Sequence, residues 1–167
     1  CRQETGTIIP GWKIALPLVD FLQQEHWGSQ EEGSHSAHFM QLASSLDLKL
    51  DDLARHEPFA ETEEFTQTRT KICREGRFLR ALGALGLGNE YINSFIFADY
   101  LKGVKEIRRR VGRDIPFGYF EAHVVDEASD YGRFKEMMRP FLATDDTVTY
   151  YGAILIGARD LLDARSG

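Results

Sequence analysis

Two short runs of histidines and carboxylates, residues 25–35 and 123–130, contain the side chains most able to perform chemistry in this chain. Their candidate metal ligands are Glu25, Glu32, His35, His123, Glu127 and Asp130. His123, Glu127 and Asp130 of the second run are four and three positions apart. These intervals place the three side chains on one helical face, since an α-helix has 3.6 residues per turn. Histidines and carboxylates on inward helical faces are how helical folds build non-haem iron or manganese sites. The spacing therefore predicts a metal site of this kind.

A metal-free interpretation of the second run stays open at this point. The run is surrounded by apolar side chains, which predicts a largely buried helix: Tyr119, Phe120, Ala122, Val124 and Val125. Buried charges are costly unless they are paired or bound to metal. A network of His123 with the carboxylates, with Arg74, Arg77 or Arg133 as counter-ion, would also satisfy these groups.

The remaining histidines and the cysteines narrow the choice of metal. His26, His38 and His56 are expected to be hydrogen-bonded histidines outside the ligand set, although His38 lies one turn from His35 and could support it. Cys73 is expected to be a small buried residue or an inert thiol. A ligand set of nitrogen and oxygen favours iron, with manganese as the alternative, over structural zinc, which usually takes cysteines.

Composition predicts one ordinary globular domain covering residues 1–167, with residues 1–11 irregular. The 167 residues include 43% hydrophobic side chains, and the net charge is −6, which argues against a nucleic-acid-binding surface. No apolar run approaches the length of a membrane span. Two cysteines do not form a disulfide framework, so a reducing compartment, the cytoplasm, is expected.

Apolar residues recur at helical intervals along most of the chain, which predicts an all-α domain of six or seven helices. The predicted helices cover residues 12–27 and 33–46 (one kinked helix or two), 51–55, 61–85, 90–111, a segment opened by Pro116, and a last helix ending near residue 164. Gly83, Gly86 and Gly88 are expected to break the 61–85 helix, and Pro140 to bend or end the helix of the second run. Thr144, Asp145 and Asp146 are expected to cap the last helix.

At these residues the chain resembles the haem-oxygenase-like superfamily, which includes thiaminase II and pyrroloquinoline-quinone synthase C proteins, and within it the non-haem diiron oxidases and oxygenases. Residues 31–48 are similar to that group's Glu…His…Leu-Phe stretch on the second core helix. Residues 101–130 are similar to the stretch that leads into its His-x-x-x-Asp-x-x-His motif. His123 matches the first histidine of that motif, Glu127 stands where Asp is usual, and Asp130 stands where the last His is usual.

The resemblance covers most of residues 20–140 and implies a haem-oxygenase-like bundle that holds one or two iron ions. Such a site would use O₂ to oxidise a small amine, amino acid or fatty-acid-like substrate. Either Glu32 or Glu25 would be the carboxylate of the first run, with Glu32 favoured. The family takes another Glu from an upstream helix, for which Glu4 is the only candidate. Either the N-terminal helix is missing from this chain, or one metal binds, or none does.

The same resemblance suggests residues for a substrate pocket. Its aromatic walls would come from Tyr91, Phe95, Tyr100, Tyr119 and Phe120, and Arg74 or Arg77 would anchor a substrate carboxylate. Two alternatives remain: a metal-free enzyme of the cofactor-synthase or thiaminase type, and a non-catalytic helical binding protein with a decayed site. A homodimer is compatible with each of them.

Overall fold

The computed structural model describes residues 12–26, 33–143 and 147–166, with the backbone alone for residues 12, 13, 24–26, 50 and 126–129. Its elements are α1 (Trp12–His26), α2 (His35–Ser45), α3 (Leu50–Arg55), α4 (Ala60–Glu75), α5 (Phe78–Leu82), a π-helical segment (Gly83–Glu90), α6 (Tyr91–Val111), α7 (Gly118–Leu142) and α8 (Thr147–Ser166). The described residues form seven continuous helical rods, because α5, the π-helical segment and α6 join without a break. The predicted all-α bundle of six or seven helices is confirmed.

Local sequence explains where the helices that carry the candidate site begin and end. Ser34 caps α2, since its hydroxyl accepts a hydrogen bond from the backbone N–H of Ala37 at 3.2 Å. Gly33 precedes this cap with a φ of 78°, a conformation that glycine adopts without steric cost. Gly112, with a φ of 64°, ends α6 in the left-handed conformation typical of helix C-termini. Because Gly33 and Ser34 precede the start of α2 at His35, α1 and α2 are two separate helices.

The prediction that a helix breaks at Gly83, Gly86 and Gly88 is wrong. The break lies earlier, where Gly76 ends α4, and the backbone then stays helical from residue 78 to residue 111. The π-helical segment widens the helix locally, an arrangement that is rare and is often found at functional sites.

Gly83 and Gly88 allow close packing of the π-helical segment against α8, and Gly86 faces Phe134 of α7. A side-chain carbon added to Gly83 would overlap the carbonyl oxygen of Ile154, and one added to Gly157 of α8 would overlap the carbonyl oxygen of Arg80 in α5. Two helices can approach this closely only where the crossing residues lack a Cβ. The ion pair between Arg80 and Asp160 joins α5 to α8.

The main core lies between α1, α5, α7 and α8 and holds α7 in the centre of the bundle. Its buried residues are Ile14, Leu79, Leu82, Phe134, Met137, Met138, Phe141, Tyr150 and Ile154. The second half of α7 is therefore anchored by packing, while its first half contacts α2 and α6. This arrangement brings the start of α2 against the start of α7, where the two histidines of the candidate site lie.

The ends of α7 and α8 agree only in part with expectation. α7 begins at Gly118, two residues after Pro116, and ends at Leu142, two residues after Pro140, in agreement with the expected end of this helix. The expected cap of α8 at residues 144–146 lies outside the described residues, and α8 continues to Ser166. None of the described helices is both long enough and apolar enough to cross a membrane.

Candidate functional site

His35 and His123 come together at the contact between α2 and α7. Both residues are buried, with exposed fractions of 6% and 9%. Their imidazole rings are stacked, with 4.2 Å between centroids and an angle of 29° between planes. The two histidines predicted from separate sequence runs thus form one pair.

A backbone carbonyl orients the imidazole ring of His123. Nδ1 lies 2.7 Å from the carbonyl oxygen of Tyr119, one turn earlier on α7. A carbonyl oxygen only accepts hydrogen bonds, so Nδ1 of His123 carries a hydrogen and donates the hydrogen bond. When the ring is neutral, its lone pair is on Nε2. Metal-binding histidines are usually oriented by a hydrogen bond of this type from the other ring nitrogen.

Aromatic side chains enclose the ring of His123. Phe97 stacks on it with 4.1 Å between centroids and 18° between planes, so His35 and Phe97 cover opposite faces of the imidazole. Tyr119 contacts the same ring at 4.5 Å between centroids. Apolar walls of this kind lower the local dielectric constant and strengthen electrostatic interactions of the ring nitrogens.

Asp130 lies about 10 Å further along α7, since each helical residue rises about 1.5 Å. It is 1% exposed, and its carboxylate accepts a hydrogen bond from Nη1 of Arg133 at 2.5 Å. Of the three arginines considered as counter-ions, Arg133 is therefore the one that pairs with this carboxylate. A buried carboxylate that is neutralised by an arginine is most simply explained as part of a structural ion pair.

The other predicted ligands lie outside what the structure describes. Glu32 falls in the undescribed segment 27–32, and the side chains of Glu25 and Glu127 are undescribed although their helices are placed. Among the residues that are described, no group of three or more His, Cys, Asp and Glu side chains lies close enough to hold a metal. The described residues thus supply two nitrogen donors and no complete ligand set.

Two cavities meet at His123. The first, here called the arginine cavity, has a volume of about 460 Å³ and is lined by Arg69 and Arg74 of α4, Glu90 and residues of α1 and α6. The second, here called the apolar cavity, has a volume of about 560 Å³ and lies between α2, α3 and α7. His35 lines the apolar cavity alone, whereas His123 lines both. Volumes of this order suit small organic molecules.

Glu90 is a polar residue of this region that sequence reasoning missed. It is 6% exposed, lines the arginine cavity together with His123, and accepts a hydrogen bond from Nδ2 of Asn89 at 2.9 Å. Arg165 of α8 in turn donates to the side-chain oxygens of Asn89 and Asn93. The only sequence signal for Glu90 is a single carboxylate after a glycine-rich apolar stretch, and an α-helical periodicity cannot place it because it ends a π-helical segment.

The predicted pocket aromatics occupy different environments. Tyr119 lines the apolar cavity beside both histidines, and Phe120 is half-buried against Phe97. Phe95 and Tyr100 are 58% and 56% exposed on the surface of α6. Tyr91, also exposed on α6, contacts the rings of Phe95 and Tyr131. Of the five aromatics predicted to form a pocket, Tyr119 therefore has the position closest to the histidine pair.

The two arginines proposed as anchors also differ. Arg74 lines the arginine cavity, whereas Arg77 is an exposed residue at the start of α5. Arg69, one turn before Cys73, lines the cavity as well and was not predicted. Its position in the cavity lining thus favours Arg74 over Arg77 as the anchor of a substrate carboxylate.

Cys73 and two other histidines complete the neighbourhood. Cys73 is exposed and lines the arginine cavity, so its predicted burial is wrong, but partial burial of the sulfur raises the pKa of the Cys73 thiol above its ordinary value. The opposing effect of Arg69 is smaller. His56 is exposed against Phe59, and Nδ1 of His38 is buried without a hydrogen-bond partner among the described groups.

Comparison with known proteins adds no relative to this description. No protein-family model, curated protein or solved structure matches the chain. The resemblance to haem-oxygenase-like diiron proteins therefore stays a prediction.

Proposed function

We propose that this protein is a non-haem iron oxidase or oxygenase that uses O₂ to oxidise a small organic substrate, with His35 and His123 as nitrogen ligands. The observation that carries the proposal is the stacked, buried pair formed by these two histidines at the meeting point of two cavities. Iron held there would supply the activation of O₂ that side chains alone do not provide. Manganese is the alternative ion for a ligand set of this type.

The hydrogen bonding of the His123 ring is suitable for a metal ligand. The hydrogen bond from Nδ1 of His123 to the Tyr119 carbonyl leaves Nε2 as a neutral donor. His35 and His123, whose rings are stacked, would hold the iron through ring nitrogens.

Carboxylates are needed to complete and neutralise such a site. Glu32 (or Glu25) and Glu127 are proposed from the sequence runs that contain the two histidines, and Glu90 joins them because it is buried and shares a cavity with His123. Asp130 is the weakest member of the predicted set, since Arg133 already neutralises it.

The chain's own residues would orient the ligands. The Tyr119 carbonyl holds the proton on Nδ1 of His123, and Phe97 keeps the imidazole in place by stacking. Phe39, Met40 and Leu53 line the apolar cavity and would give a bound substrate an apolar surface.

A metal-free binding protein is the second candidate function. It is favoured by the pair of Asp130 and Arg133, which is electrically complete without any ion. In that case the stacked histidines would be packing residues, and the cavities would bind a ligand without chemical change. Metal binding separates the two candidates directly.

The test compares Fe(II) affinity, measured anaerobically, among His35→Ala, His123→Ala, His123→Phe and the control His56→Ala. His123→Phe keeps a stacked ring and removes the donor nitrogen, so it separates ligation from packing. We expect each substitution of the pair to weaken Fe(II) binding by at least about tenfold, while His56→Ala, exposed and distant in the sequence, binds like the wild type. Equal affinity in His123→Phe and His56→Ala would contradict the assignment of His123 as a ligand.

A further inference from the structure

The arginine cavity contains two guanidinium groups without a carboxylate partner among the described residues. Arg69 and Arg74 both line it, and neither forms an ion pair in the part of the chain that the structure describes. Among the described residues, Arg69 makes a cation–π contact, with its Cζ 5.8 Å from the centre of the Phe65 ring. The two arginines lie within roughly 140° of the circumference of α4, as expected from about 100° per residue. Both can therefore face one cavity.

Glu90 is the carboxylate among the described residues that line this cavity. It accepts a hydrogen bond from Asn89, which accepts one from Arg165, and Arg165 also donates to Asn93. The described lining therefore sets the two guanidinium groups of α4 against one carboxylate. The cavity is locally positive although the chain as a whole is acidic.

An apolar wall faces these arginines. Phe21 and Leu22 of α1 and Leu85 of the π-helical segment line the same cavity, and His123 borders it. A ligand that fits must combine an anionic group with a short apolar body, within a volume of about 460 Å³. Guanidinium groups bind carboxylates in a planar, two-bond geometry, which makes a carboxylate the best-matched anion.

We propose that the arginine cavity binds a small organic acid, with its carboxylate on Arg69 and Arg74 and its apolar body against Phe21, Leu22 and Leu85. The inference deepens the proposed function, on which it rests for its catalytic meaning, because it gives the charge and polarity of the substrate. Since His123 lines the same cavity, a ligand held by the arginines lies beside the histidine pair without using its carboxylate to bind the metal.

Binding of hexanoate, hexylamine and hexanol to the metal-free protein, measured by calorimetric titration, tests the proposal. The three probes share one apolar body and differ in the charge of the head group, and inorganic phosphate serves as an anion without an apolar body. We expect hexanoate to bind at least about tenfold more tightly than hexanol, hexylamine or phosphate. Bound hexanoate should also slow alkylation of Cys73, which lines the cavity.

Substitution of the arginines locates the carboxylate. Arg69→Gln and Arg74→Gln should each weaken hexanoate binding by about tenfold, whereas Arg77→Gln, exposed at the start of α5, should leave it unchanged. Equal binding of hexanoate by all three variants, preference for hexylamine, or no binding of hexanoate to wild type would overturn the proposal. Because the protein is free of metal here, such a failure would leave the Fe(II) affinities of the histidine variants as an independent result.

Discussion

The imidazole rings of His35 and His123 lie face to face, with 4.2 Å between their centroids, although about 88 positions separate them in the sequence. His35 is fixed at the first residue of α2, directly after the Ser34 cap. His123 is fixed in the second turn of α7 by the Tyr119 carbonyl and by the stacked ring of Phe97. The pair therefore depends on how α2, α6 and α7 pack, which makes its packing residues testable apart from its nitrogens.

Replacement of Phe97 by Leu should loosen the histidine pair without removing a donor. The lost ring stacking and the shape change at this half-buried position should lower the free energy of unfolding by about 1–2 kcal/mol. Fe(II) affinity should fall less than in His123→Phe, because both nitrogens remain. Urea unfolding and anaerobic titration measure the two effects. Phe95→Leu on the exposed side of α6 is the matched control and should change stability by less than about 0.5 kcal/mol.

The crossing of α5 and the π-helical segment with α8 should not tolerate a methyl group at Gly157. The added carbon would overlap the carbonyl oxygen of Arg80, so Gly157→Ala should lower the free energy of unfolding by about 3 kcal/mol or more. Gly152→Ala, on the same helix with open space around it, should be neutral or stabilising by up to about 1 kcal/mol. Similar urea midpoints for the two variants would contradict the close crossing.

The ion pair of Asp130 and Arg133 should contribute far more to stability than the exposed pair of Glu136 and Arg139, although both have the same spacing on α7. Asp130→Asn leaves the guanidinium without its buried anion and should cost about 3 kcal/mol. Glu136→Gln should cost less than about 1 kcal/mol, since water screens that pair. Denaturant unfolding of the two variants under identical conditions is the measurement. Equal losses would show that Asp130 is not the buried structural anion described above.

Alkylation of Cys73 should report its raised pKa. Burial raises the pKa of the Cys73 thiol and the nearby Arg69 lowers it in part, so less thiolate is present at pH 8 than in an ordinary cysteine. Arg69→Gln removes the lowering effect, and the pKa should then rise further and alkylation slow down. Mass spectrometry of the Cys73 peptide after iodoacetamide treatment measures the rate, and Arg77→Gln should leave it unchanged. Faster alkylation in Arg69→Gln would contradict the conclusion that Arg69 lowers the pKa of the Cys73 thiol.

Helical periodicity was sufficient to predict the type and most bounds of the elements, because apolar spacing directly reflects which face of a helix is buried. The errors concern glycine. Gly83, Gly86 and Gly88 were predicted to break a helix, but the role of a glycine depends on what crosses it, and only the packed structure supplies that information. Gly76, which does end a helix, carries the same residue type and no distinguishing local signal.

The sequence predicted some residues of the candidate site and missed others. The residue types and offsets pointed to His35 and His123, and the structure brings these two together. The sequence offered Arg133 as one of three counter-ions, and the structure pairs it with Asp130 on the same helix. The sequence could not tell that Glu90, Arg69 and His123 share a cavity, because that relationship joins different helices and involves a π-helical register. Arg74 and Arg77 were both predicted as anchors of a substrate carboxylate, yet the helix break at Gly76 places them on different elements.

Anaerobic titration of the metal-free protein with Fe(II), counting the iron retained by each chain and then admitting O₂ under an absorbance monitor, tests the central claim most directly. The account predicts one or two tightly bound irons per chain and a change in visible absorbance when O₂ is admitted. It also predicts that His123→Phe loses bound iron while keeping its fold. Absence of stoichiometric iron in well-folded wild-type protein would contradict an O₂-using iron site and would leave His35 and His123 as packing residues of a metal-free binding protein.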